Sequence, residues 1–140
     1  MLDYKLALGT TLLMVDDDIQ QLELRGLVLR MSGFTVLNAS SPVEAISLMA
    51  QPRSGQVNVA ILDYNMPSMN GCVLADYLRA RHPELKIVLH SGNTDIPEGE
   101  LSSVDGFVPK GDGVERLIEE VSVLAQLSAV PATDACFANC

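Results

Sequence analysis

Four short, largely apolar runs, at 12–15, 57–62, 86–90 and 106–109, each stop on polar residues. The residues that follow these runs are, in chain order, Asp16 with Asp17 and Asp18, then Asp63, Ser91 and Lys110. Such runs predict short strands. A polar group at the same end of each strand is typical of an open parallel sheet whose site lies at the carboxyl ends of its strands.

Segments with apolar residues at helical spacing separate the predicted strands. Helices are predicted over 19–30, 42–50 and 114–127. A further helix is predicted between the second and the last of these, after a loop at 66–71, and it stops before Pro83. A further strand is predicted at 34–37, a loop at 53–56, and 93–105 is the least regular region. Strands that alternate with helices predict an α/β domain with a five-stranded parallel sheet, ordered 2-1-3-4-5 through right-handed crossovers.

The predicted helices carry capping signals and apolar faces. Asp18 is expected to cap the first helix, and Ser41 precedes Pro42 at the start of the second. We expect the following residues to form the apolar faces: Leu22, Leu24, Leu27, Val28 and Met31 on the first helix, Val73, Leu74, Tyr77 and Leu78 on the third, and Leu117, Ile118, Val121, Leu124 and Ala125 on the last.

Composition narrows the possible functions. The 140 residues, 48% of them hydrophobic, predict one domain at 11–127 with an N-terminal extension at 1–10 and a disordered tail at 128–140. A net charge of −9 argues against membrane attachment and direct nucleic-acid binding, since nine scattered Lys and Arg residues supply no basic cluster. The N-terminus carries no basic leader or span-length apolar segment, which predicts a cytoplasmic protein. Three cysteines, Cys72, Cys136 and Cys140, form no disulfide or zinc pattern.

The acidic residues at the predicted sheet edge indicate the chemistry. Carboxylates within a few Å raise one another's pKa values and are costly to desolvate unless a cation compensates them. A divalent metal is the expected compensator. Together with a hydroxyl from Ser91 and an ammonium from Lys110, these carboxylates predict a place where a phosphoryl group is accepted and held.

At these positions the chain resembles the receiver domain of two-component response regulators, over roughly 11–127. The motifs that carry the resemblance are Val15-Asp16-Asp17, Leu62-Asp63-Tyr64-Asn65-Met66-Pro67 followed by Gly71, Ser91-Gly92, and Phe107-Val108-Pro109-Lys110. The resemblance implies a flavodoxin-like doubly wound fold and a phosphoprotein that receives its phosphoryl group from a histidine kinase or a phosphotransfer protein. It also implies signalling by contact with a downstream protein, here expected without an effector domain.

The resemblance also implies a role for each site residue. Asp63 is the expected nucleophile that becomes an aspartyl phosphate. Asp17 would bind Mg²⁺ directly and Asp16 directly or through a water, together with Asp63 and the backbone carbonyl of Asn65, whereas Asp18 stays outside the metal shell as a cap. Lys110 would pair with Asp63 and later with a phosphoryl oxygen. The switch residues would be Ser91, which moves towards the phosphoryl group, and Phe107, whose rotamer follows. His90 is expected to point to the opposite face from Ser91.

The chain departs from the family pattern in two places. Gly111 stands where the family carries a proline after the lysine, so we expect a trans Lys110–Gly111 peptide, because a non-proline cis bond costs about 2.5–4 kcal/mol. The stretch from Ser91 to Lys110 is short and contains Pro97 and Gly99, which predicts a short or irregular fourth helix.

Two other functions stay open at this point. The chain could be a receiver-like adaptor that binds a partner without cycling phosphate. It could also be a phosphatase with an aspartate nucleophile, similar to the haloacid dehalogenase type, because Asp16-Asp17-Asp18 has the Asp-x-Asp form. That family expects Thr or Val where this chain has Gln20.

Overall fold

Five parallel strands form one sheet in the computed structural model, which describes residues 9–51 and 56–139, with side chains as far as Leu127. The strands pair in the order β2-β1-β3-β4-β5, so the predicted topology is confirmed. Their bounds are β1 Thr11–Val15, β2 Thr35–Ala39, β3 Val57–Leu62, β4 Lys86–Ser91 and β5 Gly106–Pro109. The predicted strand at 34–37 is therefore displaced, since Phe34 precedes β2.

Helices cover both faces of the sheet. They are α1 Ile19–Met31, α2 Pro42–Met49, α3 Gly71–Arg81 and α4 Gly113–Asn139. Alternate residues of β1 enter different hydrophobic clusters, because successive side chains of a strand point to opposite faces. Leu13 and Val15 pack with α2 and α3, whereas Leu12 and Met14 pack with α1 and α4. Both faces are thus buried, as a doubly wound sheet requires.

Side-chain caps begin the first three helices. Asp18 Oδ1 accepts a hydrogen bond from the Gln21 amide at 3.2 Å, which confirms the predicted cap of α1. Ser41 Oγ accepts from the amide of Glu44 at 3.1 Å, at the start of α2. Each cap satisfies an amide that the helix itself leaves without a partner.

The predicted apolar face of α1 is wrong for three of its residues. Leu24, Leu27 and Met31 are exposed, with relative exposures of 58%, 53% and 77%. The core-facing side instead carries Leu22, Gly26 and Leu29 at helical spacing. This helix has leucines on both sides, so periodicity alone selects the stripe with more apolar residues rather than the stripe that is buried.

On α3, Leu74 and Leu78 are buried as predicted, while Val73 is exposed. On α4, the predicted apolar face is confirmed, because Leu117, Val121, Leu124 and Ala125 are buried and Ile118 packs against them. Cys72 is buried in the core.

The C-terminal segment differs from the sequence prediction. Helix α4 continues to Asn139, whereas the sequence predicted a helix that ends at Leu127 and a disordered tail at 128–140. The alanines that recur in this stretch favour a helix, whereas Pro131 disfavours one. Most of the predicted extension at 1–10 and of the loop at 53–56 lies outside the described residues.

The region between β4 and β5 contains only a short 3₁₀ helix, Glu98–Leu101, as the sequence predicted. No peptide bond among the described residues is cis, so the Lys110–Gly111 bond is trans, also as predicted. A second 3₁₀ turn, Lys110–Asp112, leads from β5 into α4. None of the described helices has the length and apolar character that crossing a membrane requires.

One arginine ties the end of this region to the rest of the fold. Arg79, near the end of α3, donates hydrogen bonds to the carbonyls of Pro83, Leu85 and Ser103. It also donates to Asp105 Oδ2, which accepts from the Ile87 amide as well. This contact joins α3 to the amino-terminal ends of β4 and β5.

Candidate functional site

Three carboxylates meet at the carboxyl edge of the sheet. Asp16 follows β1 and Asp63 follows β3, and these strands are neighbours with Val15 opposite Leu62. The Asp63 amide donates to the carbonyl of Val15 at 3.0 Å, which holds the two aspartates side by side. One carboxylate oxygen from each of Asp16, Asp17 and Asp63 lies within 4.8 Å of the others.

These three residues differ in exposure and in their partners. Asp16 and Asp63 are buried, with relative exposures of 2% and 6%, whereas Asp17 is exposed. Asp16 Oδ1 accepts a hydrogen bond from the amide of Asp18 at 2.9 Å, so the turn into α1 fixes the orientation of its carboxylate. The cluster is therefore half enclosed, with Asp17 on its open side.

Lys110 brings a cation to the cluster from the end of β5. Its Nζ lies 2.9 Å from Asp16 Oδ2 and 3.4 Å from Asp63 Oδ1. The pairing with Asp63 was predicted from the family resemblance, and the structure adds a closer contact with Asp16. One ammonium thus bridges two buried carboxylates and offsets part of their repulsion.

Burial is the main cause that raises the pKa of the Asp63 carboxyl from 3.8 to about 6. The charge on Asp16 raises this pKa further, and Lys110 acts in the opposite direction. One cation does not fully compensate the neighbouring carboxylates, so Asp63 is ionised at some cost at neutral pH. Additional positive charge near Asp63 would therefore stabilise its ionised carboxylate.

The carboxylates have the chemistry and spacing that a hard divalent cation needs. Mg²⁺ binds oxygen ligands, keeps several waters and requires only a few carboxylates from the protein. The oxygens of Asp16, Asp17 and Asp63 are close enough for one ion to contact all three. The uncompensated charge on Asp63 favours the same cation, so the residues fit Mg²⁺.

The predicted hydroxyl lies at the corresponding end of β4. Ser91 is fully buried, and its Oγ accepts a hydrogen bond from the amide of Asn93 at 3.0 Å. Phe107, on β5, is half-buried and packs against the hydrophobic core on the side of the sheet that α2 and α3 cover. Asn65 is exposed in the loop after Asp63. The roles of these residues as switch and metal ligands stay predictions.

Gly71 is necessary for the shape of the site. A Cβ at this position would lie 2.9 Å from Leu89 Cδ1 and closer still to the carbonyl oxygen of Asp63. The Gly71 amide also donates to the Tyr64 carbonyl at 2.9 Å. The start of α3 thus packs directly on the backbone of Asp63, and only glycine allows that approach.

Two further cationic or titratable side chains lie beside the carboxylates: Arg25, which the sequence did not indicate, and His90, which the sequence placed on the face opposite Ser91. Arg25 Nη1 lies 3.8 Å from Asp16 Oδ2. His90 is buried, and Val88, two residues earlier on β4, packs with α1 and α4, so this face also receives His90. Burial and the nearby charges of Arg25 and Lys110 lower the pKa of His90 to about 4, so its imidazole is neutral at pH 7. The position of Arg25 between Leu22 and Leu29 is not a sufficient signal, because leucines lie on both sides of α1.

Tyr64, the residue after Asp63, connects the site to the irregular region. Its hydroxyl donates a hydrogen bond to Glu100 Oε1 at 3.0 Å. This bond raises the pKa of Tyr64, because the phenol proton is shared with a carboxylate. Glu100 belongs to the 3₁₀ helix Glu98–Leu101, so the site has a direct contact with that helix.

Comparison with known families identifies one match. The model of the response regulator receiver domain matches residues 12–122. Among curated proteins, the sensor kinase CckA of Brucella abortus is 30% identical over 84% of this chain, and the C4-dicarboxylate transport transcriptional regulatory protein DctD of Rhizobium meliloti is 30% identical over 76%. The matched parts cover only 13% and 23% of those two proteins.

Solved structures give a consistent result. The response regulator TrrA of Thermotoga maritima, solved in complex with Mg²⁺ and BeF, is 27% identical with a TM-score of 0.74, over 82% of this chain and 98% of that one. A response regulator receiver domain from Clostridium thermocellum has a TM-score of 0.80 at 19% identity, over 86% and 98%. The second likeness supports the fold alone.

Proposed function

This chain belongs to the response regulator receiver domain family, and from that membership we propose that it accepts a phosphoryl group on Asp63. The observation that carries the proposal is the cluster of Asp16, Asp17 and Asp63, bridged by Lys110 at the carboxyl edge of the sheet. Receiver domains interact with histidine kinases and phosphotransfer proteins, and we propose that a protein of one of these two kinds is the donor.

The transfer is a displacement at phosphorus. A carboxylate oxygen of Asp63 forms a bond to the phosphorus while the P–N bond of the donor phosphohistidine breaks. The electron pair of that bond returns to the imidazole, which takes a proton from solvent. With a small acyl phosphate as donor, a P–O bond breaks instead and the carboxylate of the acyl group leaves.

Asp16, Asp17 and Asp63, with the carbonyl of Asn65, would hold Mg²⁺ in this proposal. The bound cation would neutralise negative charge that develops on the phosphoryl oxygens. Lys110 would contribute a second positive charge to a phosphoryl oxygen, and Ser91 a hydrogen bond to another. Charge compensation is the main need of phosphoryl transfer, since three carboxylates otherwise repel the donor.

The proposal predicts stoichiometric phosphorylation. Incubation with Mg²⁺ and acetyl phosphate is expected to add one phosphoryl mass that hydroxylamine removes, measured by intact-protein mass spectrometry. Asp63→Asn and removal of the metal with EDTA are each expected to abolish the added mass.

Asp18→Asn provides the matched control for this experiment. Asp18 is adjacent to the acidic pair but caps α1, so its replacement removes one negative charge without touching the proposed acceptor. This variant is expected to gain the phosphoryl mass like the wild type. An unchanged mass in the wild type would contradict the proposed function.

We further propose that phosphorylation acts on the stretch from Asn93 to Lys110. Ser91 and Phe107 lie at its two ends, and Tyr64 contacts its centre through Glu100. A hydrogen bond from Ser91 to the phosphoryl group, with Phe107 turned inward, would favour one arrangement of this stretch. The ordered arrangement is then the surface that a downstream protein binds.

Hydrogen exchange measures this effect. In the presence of Mg²⁺, addition of beryllofluoride, which mimics the phosphoryl group, is expected to slow amide exchange across 93–110 at least about threefold, because the segment becomes ordered. Exchange in α1 and β1 provides the internal comparison. Equal protection with and without beryllofluoride across 93–110 would place the output elsewhere and favour the adaptor function.

A further inference from the structure

Helix α1 carries a charged residue in the middle of its core-facing side. Arg25 lies between Leu22 and Leu29, one turn from each, on the side that packs against the sheet. Its side chain is only 16% exposed, and Nη1 is buried with no hydrogen-bond partner in the described part of the chain. A buried guanidinium nitrogen without a hydrogen bond is costly, so this position favours an anion nearby.

The anion is Asp16, which is also the carboxylate closest to Lys110. Asp16 Oδ2 lies 2.9 Å from Lys110 Nζ and 3.8 Å from Arg25 Nη1. Lys110 Nζ donates a hydrogen bond to Asp16 Oδ2. Arg25 Nη1 is the second cationic group, and it lies less than 1 Å farther from the same oxygen. Asp16 Oδ1 accepts the hydrogen bond from the amide of Asp18, and Oδ2 is the oxygen that both cations approach.

We propose that Arg25 is a positioning residue that takes over from Lys110 at Asp16 when a phosphoryl group on Asp63 attracts the lysine. This inference rests on the proposed function. Lys110 would have to leave Asp16 Oδ2 to reach a phosphoryl oxygen, and this buried oxygen would then lose the side chain that donates its hydrogen bond. Arg25, already at 3.8 Å, supplies the replacement through a small movement of a long side chain.

The proposal has two consequences of opposite sign. A positive charge beside Asp16 weakens the binding of Mg²⁺ in the unphosphorylated protein, because both cations use the same carboxylate. The same charge strengthens the phosphorylated state, because it frees Lys110 for the phosphoryl group. A residue with a merely structural role would change both bindings in the same direction.

The test is titration of ¹⁵N-labelled protein followed by NMR, first with Mg²⁺ and then with beryllofluoride at saturating Mg²⁺. Arg25→Met is expected to bind Mg²⁺ about tenfold more tightly, since a unit charge a few Å from a ligand oxygen has this effect even under water-like screening. It is expected to bind beryllofluoride about tenfold more weakly. Arg25→Lys keeps the charge and is expected to stay within about twofold of the wild type in both titrations.

Arg25→Gln repeats the test with a neutral polar side chain if the methionine variant does not fold. Opposite shifts in the two titrations support the takeover. Three other outcomes would overturn it. The wild type and the variant could bind both ligands equally, or the variant could lose affinity for both. The variant could also gain affinity for Mg²⁺ without losing affinity for beryllofluoride. A wild type that binds no beryllofluoride would contradict the proposed function itself, whereas a wild type that binds it equally to the variants would contradict only the role of Arg25.

Discussion

Asp63→Asn is expected to raise the free energy of unfolding at pH 7, without divalent metal, by about 2–3 kcal/mol. The pKa of Asp63 is about 6 in the folded protein against an ordinary value of 3.8, and each pKa unit corresponds to about 1.4 kcal/mol. Asparagine has nearly the same shape without the charge. Urea denaturation in EDTA, monitored by circular dichroism, measures the difference.

The pH dependence of this difference tests its cause. Because the pKa of Asp63 is raised, the folded protein binds the proton more tightly than the unfolded chain, and the wild type loses this stability as the pH rises from about 4 to about 6. The variant is therefore more stable above pH 6 and equal to the wild type below pH 4. Asp95→Asn, an exposed site, controls for the loss of a negative charge. Equal stabilities at pH 7 would show that ionised Asp63 carries no such cost.

Gly71→Ala is expected to lower the free energy of unfolding by about 3 kcal/mol, the upper part of the usual range for overpacking. The added methyl group would overlap the carbonyl of Asp63 and press on Leu89, and backbone atoms cannot yield as a flexible side chain can. Thermal and urea denaturation measure this loss. The rate of phosphorylation by acetyl phosphate is expected to fall too, since relief of the overlap shifts Asp63.

Gly99→Ala is the control for this substitution. A Cβ on Gly99 would meet no atom within 4 Å, so the change is expected to alter stability by less than about 0.5 kcal/mol. The two variants receive the same methyl group and the same reduction of backbone freedom in the unfolded chain. A Gly71→Ala variant as stable as Gly99→Ala would mean that α3 does not pack against Asp63 as closely as described.

The sequence was sufficient to predict the sheet and the location of the site. Parallel strands that end on polar residues must bring those residues to one edge, so Asp16, Asp63, Ser91 and Lys110 follow from the order of the strands. The absence of a regular helix between β4 and β5 was predictable as well, because Pro97 and Gly99 both disfavour one there.

The cations around Asp16 were not predictable in the same way. Motif positions assign Lys110 to the acceptor, but its distances to Asp16 and Asp63 depend on how the side chain packs. Arg25 was overlooked because a charged residue on an amphipathic helix is expected to face solvent. Only the three-dimensional structure shows that the side of α1 with fewer large apolar residues is the buried one.

Side-chain contacts between residues far apart in the chain also could not be predicted from the sequence. The hydrogen bond between Tyr64 and Glu100 joins residues that are 36 positions apart, and neither lies in a periodic pattern that indicates a partner. The extension of α4 to Asn139 was not predictable from local propensity, because Pro131 disfavours a helix while the recurring alanines favour one.

The arginine at the end of α3 determines how much freedom the switch region has. Arg79 binds Ser103 and Asp105, and Asp105 also holds the amide of Ile87, so the chain is fixed immediately before β5. The stretch between Ser91 and this anchor is therefore a closed loop whose closure entropy has already been lost before any signal arrives. Reordering within such a loop is entropically less costly than ordering a free segment. It also leaves the strand that carries Lys110 in register, so the lysine does not lose its place when the loop changes shape.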